Sequence, residues 1–192
     1  MELDPLDDAA LLRAHGRGDR LAFGRLYDRY DRRCFSFITR TLGPPHWDVA
    51  EDLHQETWMA VAGNAGAYDA GRSSFAAWLF TIARNKVRDH FRKQKVAFLV
   101  SGEDDAAMKV ADTGPTPLER VETRELALKL VAAVEALPLA QRETFAMFAL
   151  GGLTLDEIAR ATDAGAETAK SRLRYARSTL RRVLSGQRCA DG

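Results

Sequence analysis

The sequence predicts an all-α protein made of two small helical domains joined by a flexible linker. Apolar residues recur at steps of three and four along nearly every segment, which is the period of an amphipathic helix. The alternation of apolar and polar residues that is typical of strands is absent. The predicted domains are residues 1–95 and 117–192, and the predicted linker is 96–116, a stretch without periodicity.

The first two helices have recognisable ends. Asp4-Pro5 predicts a capping residue followed by proline at the first helical position, and this helix should end near Gly16. Asp19 is placed to cap the second helix, whose apolar face runs at helical spacing from Phe23 to Leu42. Gly43-Pro44-Pro45 should then stop it.

The next two helices complete the first domain. Asp48, with Glu51 three residues later, has the form of a capping box and predicts the start of the third helix. Small and polar residues over 63–74 predict a loop. The fourth helix should begin at Phe75 and end near Lys95.

A helix-turn-helix motif is predicted in the second domain. This domain should open with a capping box at Thr116, and Pro138 should start its second helix. A capping box at Thr154 opens a short helix, residues 162–165 form a turn with a glycine, and a longer helix follows over 166–184. The buried face of that helix should consist of Ala169, Leu173, Ala176, Leu180 and Val183 or Leu184.

The last helix carries basic residues on its other face, as a recognition helix in the major groove would. Arginine can read a guanine edge through two hydrogen bonds, and arginines further along would contact phosphates. The alternative is a solvated basic surface. The residues expected to contact duplex DNA are Thr168, Lys170, Ser171, Arg172, Arg174 and Arg177.

Residues 68–95 combine aromatic and basic side chains beside a loop, which suits single-stranded DNA. The alternative is that the aromatic residues, such as Phe75 and Trp78, simply form core. The candidate contacts with a single strand are Tyr68, Arg72, Arg84, Asn85, Lys86 and Arg88.

The third helix carries an acidic stripe. The stripe consists of Asp48, Glu51, Asp52, Gln55 and Glu56. From the residues alone a solvated face is the favoured interpretation, and docking on a basic partner is the alternative.

Charge and composition limit the function further. The formal net charge is only +1, but residues 84–95 hold six basic residues and one acidic, and 168–188 hold seven basic and none acidic. Two basic stretches indicate two contacts with a polyanion. The two cysteines, Cys34 and Cys189, form no disulfide framework, which fits a reducing cytoplasm. No apolar run is long enough for a membrane span, and no secretory signal is expected.

No enzyme motif is present in the sequence. A P-loop, a dinucleotide fingerprint and a nucleophile elbow are all absent. His46, Asp48, Glu51 and His54 lie close together but lack a recognised ligand spacing, so no metal site is expected. The sequence therefore predicts a protein without catalysis and without a cofactor.

Several segments together resemble extracytoplasmic-function sigma factors of bacterial RNA polymerase. Residues 48–58 (DVAEDLHQETW) resemble the family's region 2.2, and residues 75–85 (FAAWLFTIARN) resemble the segment that follows it. GLT at 152–154, EIA at 157–159 and KSRL at 170–173 resemble region 4. The resemblance covers residues 19–95 and 117–184.

The resemblance implies a role for each candidate surface. The acidic stripe would bind the clamp helices of core RNA polymerase. The loop and fourth helix would melt the minus-10 element, with Asn85, Tyr68 and Arg72 lining the pocket for a flipped base. The recognition helix would read duplex minus-35 DNA, and an anti-sigma factor is an expected partner. The family lacks the region 3 domain of primary sigma factors, and the predicted linker over 96–116 agrees with this. The turn departs from the family, because Asp163 stands where glycine is usual, although aspartate tolerates the left-handed conformation.

A stand-alone helix-turn-helix regulator is the alternative function. Such a protein would bind duplex DNA without polymerase. It usually carries a ligand-binding or dimerisation domain, whereas the first half here pairs an acidic helix with a basic, aromatic one.

Overall fold

The structure, a computed structural model, describes residues 7–101 and 121–185, which we call the first and second halves. Every regular element in these residues is helical, so the predicted all-α fold is confirmed. The caps predicted at Asp4 and Thr116 lie outside the described residues. The α-helices are α1 Asp8–Gly16, α2 Arg20–Leu42, α3 Ala50–Gly63, α4 Phe75–Ser101, α5 Val121–Glu135, α6 Leu139–Ala146, α7 Leu155–Ala161 and α8 Ala166–Ser185.

Helix α2 is the centre of the first half, and its predicted ends are confirmed. The Asp19 carboxylate accepts hydrogen bonds from the backbone N–H groups of Leu21 and Ala22, at 2.9 and 3.1 Å. The apolar face is buried from Leu26 to Leu42 against α1, α3 and α4. At Gly43 the backbone adopts φ 81°, a conformation that favours glycine, and the helix ends there.

The predicted start of the third helix is wrong. A 3₁₀ segment spans Pro44–Val49, so Asp48 lies inside a turn and Val49 is the residue that precedes α3. No side chain caps α3. The paired prolines account for this, since their fixed φ already suits a helical turn and begins one before Asp48 is reached.

Helix α4 is longer than predicted. It continues to Ser101, six residues past Lys95, so part of the segment expected to be linker is helical. The remaining residues of the predicted linker, 102–116, lie outside the described residues. The domain limits drawn from the sequence therefore stay a prediction.

The helix-turn-helix is confirmed in its local geometry. Thr154 and Glu157 form the reciprocal capping box at the start of α7. Asp163 takes φ 50° in the turn before α8. The α8 face expected to be buried is buried as far as Leu180, but Val183 is exposed and belongs to the outer surface.

One hydrophobic core continues through both halves. Met147 and Leu153, from the second half, belong to the same buried cluster as Phe37 and Phe80 of the first half. A smaller cluster around Ala133, with Val134 and Leu180, joins α5 to α8. The two halves are therefore closed on one another through apolar packing.

Three arginines cross between the halves to the last carbonyls of a helix on the other side. Arg33 of α2 donates to the Leu150 and Gly151 carbonyls, at 2.7 Å each, where a π-helical turn ends. Arg142 of α6 donates to the carbonyl of Thr41 at the end of α2, at 3.1 Å. Arg84 of α4 donates to the carbonyl of Ala161 at the end of α7, at 3.0 Å. Because these carbonyls have no partner within their own helices, each arginine satisfies groups that would otherwise need water.

Cys34 lies fully inside the core of the first half. Burial raises the pKa of its thiol to about 12, so the reactive thiolate is suppressed at neutral pH. Within residues 7–101 and 121–185 no helix is both long and apolar enough to cross a membrane.

Replacing Gly151 should test how tightly Leu153 is packed at the boundary between the halves. A Cβ at this position would lie 2.7 Å from Leu153 Cδ1 and 3.5 Å from the Phe80 ring, both of which are buried. We expect Gly151→Ala to lower the free energy of unfolding by about 1–3 kcal/mol through overpacking. Chemical denaturation followed by circular dichroism measures it.

Gly24→Ala is the matched control, because a Cβ there meets nothing within 4 Å inside α2. It should raise stability by about 0.5–1 kcal/mol, the ordinary gain of alanine over glycine in a helix. Equal stabilisation by both substitutions would mean that the space around Gly151 is open in solution.

Candidate nucleic-acid interface

The acidic stripe forms one exposed surface on the 3₁₀ segment and α3. All five of its residues are exposed, while Leu53 and Trp58 on the opposite side of α3 are buried. Glu56 pairs with Lys86 of α4 at 2.9 Å, and this hydrogen bond lowers the pKa of the Glu56 carboxyl. The other four members have side chains directed outwards, which gives a negative surface that a basic partner could cover.

The loop before α4 is organised around Tyr68. Its hydroxyl donates to the Ser73 carbonyl at 3.1 Å, and its ring packs 5.3 Å from that of Trp78. The ring is partly buried, and burial raises the pKa of the phenol. Arg72, four residues on, is exposed. The loop thus holds an aromatic ring and a guanidinium at the start of α4.

Arg84 and Arg88 reach across to the second half. The Arg88 guanidinium holds both carboxylate oxygens of Glu143, with Nε to Oε1 at 2.7 Å and Nη2 to Oε2 at 2.8 Å. Arg84 Nε lies 3.2 Å from Oε2, and its Nη1 donates to the Ala161 carbonyl at 3.0 Å. The Glu143 side chain is 0% exposed, whereas that of Arg84 is 8% exposed and that of Arg88 is 43% exposed.

The two arginines respond to this environment in opposite directions. Desolvation lowers the pKa of Arg84, although Glu143 partly opposes the shift. Hydrogen bonds with Glu143 raise the pKa of Arg88. Both guanidiniums stay charged at neutral pH, because an arginine titrates far above it. One buried carboxylate therefore neutralises part of a cluster of two cations.

Two clefts lie along α4, and the second half walls both of them. The first, about 330 Å³, holds Arg72 and Trp78 on one side and Arg160 of α7 on the other. The second, about 850 Å³, holds Asn85 and Arg88 opposite Leu139 at the start of α6. The second half therefore covers Arg84 and forms one wall of the clefts that contain Arg72, Asn85 and Arg88.

The structure separates the single-strand candidates into three places. Arg72 lines the first cleft, next to Tyr68, and Asn85 lines the second, beside Arg84 and Arg88. Lys86 instead faces α3 through its ion pair with Glu56. Asn85 and Arg72 thus line different clefts, and the base pocket that the resemblance implies stays a prediction.

The recognition helix presents its basic face outwards. Most of the predicted contact residues are exposed, and the exposed ones are Thr168, Lys170, Arg174 and Arg177. Ser171 and Arg172 are partly buried, and Arg172 is close enough to Arg84 to lower that residue's pKa. The Arg177 guanidinium lies 4.5 Å from the Phe148 ring centroid, a cation–π contact that fixes its position.

Sequence reasoning missed Glu143 as a functional residue. Its signal was available, because Glu143 stands four residues before buried Met147 and so lies on the buried face of α6. It also missed the hydrogen bond between Ser74, which precedes α4, and Glu157 of the capping box. The Glu143 contacts and the Ser74–Glu157 hydrogen bond both join the two halves, and neither can be predicted from local sequence spacing.

The nearby histidines and acids predicted not to bind metal lie apart. His46 packs against His90 and Phe91, with ring centroids 5.4 and 5.3 Å away, whereas His54 lies beside Asp31 and Trp58. Among the residues that the structure describes, no three histidine, cysteine or acidic side chains converge as metal ligands would.

Comparison with known protein families identifies both halves. Residues 26–96 match the model of sigma-70 region 2, and residues 127–180 match that of sigma-70 region 4. The chain is 32% identical over 182 residues to the RNA polymerase sigma factor NccH of Alcaligenes xylosoxydans xylosoxydans, covering 94% of this chain and 96% of the relative. It is 31% identical to the ECF RNA polymerase sigma factor SigK of Mycobacterium bovis over 91% of this chain and 92% of that one.

Two solved structures share the fold. The structure of CnrH in complex with the cytosolic domain of CnrY matches with a TM-score of 0.65 at 24% identity, covering 93% of this chain and 97% of that one. The sigma factor RpoE in complex with the anti-sigma factor NepR from Bartonella quintana matches with a TM-score of 0.67, also at 24% identity, covering 85% and 96%.

These matches span almost the whole length of the chain and of its relatives. The chain belongs to the sigma-70 family of RNA polymerase sigma factors, in the extracytoplasmic-function group. Sigma factors are transcription initiation factors that direct RNA polymerase to promoters, and this is the function of the chain.

Proposed function

We propose that the chain performs promoter recognition with three separate surfaces and carries out no catalysis of its own. The observation that carries the proposal is the outward-facing basic surface of α8 in a capped helix-turn-helix, on a chain whose other half exposes an acidic stripe. One surface fits duplex DNA, and the other fits a basic protein. The domains would be residues 1–95 and 117–192, as the sequence predicts.

The acidic stripe would bind core RNA polymerase. Four members of the stripe are exposed and can meet a partner helix rich in basic residues. They are the carboxylates of Asp48, Glu51 and Asp52 and the amide of Gln55. Complementary charge of this kind accelerates association and fixes orientation. Glu56 would take part after exchanging Lys86 for a residue of the polymerase.

The loop and α4 would bind the single-stranded minus-10 element. Stacking on aromatic rings contributes about 1–3 kcal/mol per base, and Tyr68 with Trp78 offers such rings. Asn85 is exposed and can both donate to and accept from a base edge. Arg72 would line the base pocket from the loop side with Tyr68, and Arg84 and Arg88 would hold phosphates.

The start of α8 would enter the major groove of the minus-35 element. Thr168 and Lys170 are exposed at the first turns, where a recognition helix meets base edges. Arg174 and Arg177 lie further along and would hold phosphates.

The remaining partners follow from the family. RpoE, a protein of similar fold, is bound to an anti-sigma factor in its solved structure, and we propose that such a factor also controls this chain. We place the protein in the cytoplasm, where its polymerase is.

In-vitro transcription tests the proposal. The purified chain is added to core RNA polymerase that lacks sigma factors, on the DNA upstream of its own gene. A transcript that requires the chain supports the proposal. If the chain binds neither core polymerase nor promoter in complex with it, yet selects a duplex on its own, the stand-alone regulator replaces it.

Asp52→Arg should weaken binding to core polymerase by roughly tenfold or more, because it places a like charge against a basic surface. Asp28→Arg makes the same charge change on an exposed position of α2 and serves as the control. Fluorescence anisotropy with labelled chain measures both affinities. Equal affinities for the two variants would remove the acidic stripe from the polymerase interface.

Asn85→Ala should reduce open-complex formation roughly threefold to tenfold, which corresponds to one or more lost hydrogen bonds to a base. Binding to core polymerase should not change. Gln94→Ala, an exposed amide on the same helix, is the matched control. Permanganate reactivity of promoter thymines reports melting, and a normal signal from Asn85→Ala would exclude Asn85 from the base pocket.

A further inference from the structure

Glu143 is a buried charge with an unusual position. It lies in α6 of the second half, is 0% exposed, and has its carboxylate partners on α4 of the first half. Burying a carboxylate is costly unless ionic partners and hydrogen bonds compensate it. Among the described residues, both ion pairs of this carboxylate come from across the boundary, and Arg142 beside it on α6 adds only a weaker electrostatic attraction. These two ion pairs therefore exist only while the halves are closed.

The partners of Glu143 are the arginines proposed to hold minus-10 phosphates. Arg88 holds the carboxylate through two parallel hydrogen bonds, the geometry with which arginine also binds phosphate. The Arg84 side chain is almost completely covered, and its Nη1 donates to the Ala161 carbonyl of the second half. A strand could not reach Arg84 without displacing the second half.

The second half also borders the candidate face of α4 at two further places. The second half walls the cleft that contains Arg72 and the larger cleft that contains Asn85. Ser74, at the start of α4, is hydrogen-bonded to Glu157 of α7. The recognition helix is involved as well, because Arg172 is partly buried beside Arg84.

We propose that Glu143 is an intramolecular substitute for DNA phosphate, which latches the two halves together and keeps the minus-10 surface of the free chain from binding DNA. This inference rests on the proposed function, because it concerns the same surface. Separation of the halves on core polymerase exposes Arg84 and Arg88, and phosphates of the single strand replace the carboxylate there.

The chemistry makes the latch reversible. The attraction within a buried ion pair is largely offset by the cost of removing its charges from water. On opening, Glu143 and both arginines regain that hydration, and the arginines then gain phosphate partners. The Arg33 and Arg142 contacts to helix carbonyls can likewise be replaced by water. The part of Arg88 that is exposed in the larger cleft gives a strand its first point of attachment.

Two variants that change the net charge in opposite directions test the latch. Glu143→Gln removes the carboxylate, and Arg33→Ala removes a contact between the halves that is outside the proposed DNA surfaces. Glu143→Gln also removes a negative charge, which alone would favour DNA. Arg33→Ala removes a positive charge, which alone would weaken DNA binding, so a gain in affinity from it can come only from opening. Asp28→Asn controls for the charge change of Glu143→Gln at an exposed site.

The probe is a fluorescent single-stranded DNA of about 16 nucleotides, the length such surfaces cover. Its affinity for the full-length free chain is measured by anisotropy, with the radius of gyration from small-angle scattering and helix content from circular dichroism. We expect both variants to retain their helix content, to expand, and to bind the strand roughly tenfold more tightly, as expected if about a tenth of the wild-type chain is open. Asp28→Asn should resemble the wild type.

The outcomes are distinct. If the variants expand but bind the strand no better, the second half does not mask the DNA surface. If they stay compact, Glu143 and Arg33 do not hold the halves together. If Glu143→Gln loses helix content, the expansion and strand affinity of Arg33→Ala alone test the latch. Transcription with core polymerase is measured in parallel for the wild type: its success together with unchanged strand binding overturns the latch alone, whereas its failure overturns the proposed function itself.

Discussion

The carboxylate of Glu143, enclosed by Arg84 and Arg88, is the interaction on which the arrangement of the molecule depends. It joins α6 to α4 across the boundary between the halves. Apolar packing of Met147 and Phe80 in one shared core adds the non-directional part of the attraction. The ion cluster adds direction, because a carboxylate between two guanidiniums tolerates little displacement.

The polar contacts at the boundary between the halves are largely contacts to helix ends. Arg33, Arg84 and Arg142 each cross it to carbonyls at the C-terminus of a helical segment on the other side. Such carbonyls must be satisfied by some partner, and water serves as well as arginine when the halves part. A boundary built in this way can hold a closed state and still open. The proposed function uses this combination, because its minus-10 and minus-35 surfaces would have to separate to reach two promoter elements.

Much of the fold could be predicted from the sequence where the signal is local. Asp19 and the Thr154 capping box mark helix starts because their partners lie two or three residues away. Asp48 failed as a cap because paired prolines had already started a turn. The candidate surfaces were found through charge and through the resemblance, but the role of Glu143 was not. A charged residue is assumed to be solvated until its partners are known, and these lie more than fifty residues away.

The central claim, that the free chain is closed and that polymerase opens it, is tested most directly by a distance between the halves. Donor and acceptor dyes are placed on the exposed positions Asp28 of α2 and Ser178 of α8, and energy transfer is followed as core RNA polymerase is added. Cys34 is buried and stays unlabelled in the native chain, and Cys189 is replaced by serine so that the dyes attach only at the two chosen positions. The account predicts high transfer in the free chain and a clear fall on binding. Low transfer in the free chain that does not change with polymerase would contradict it.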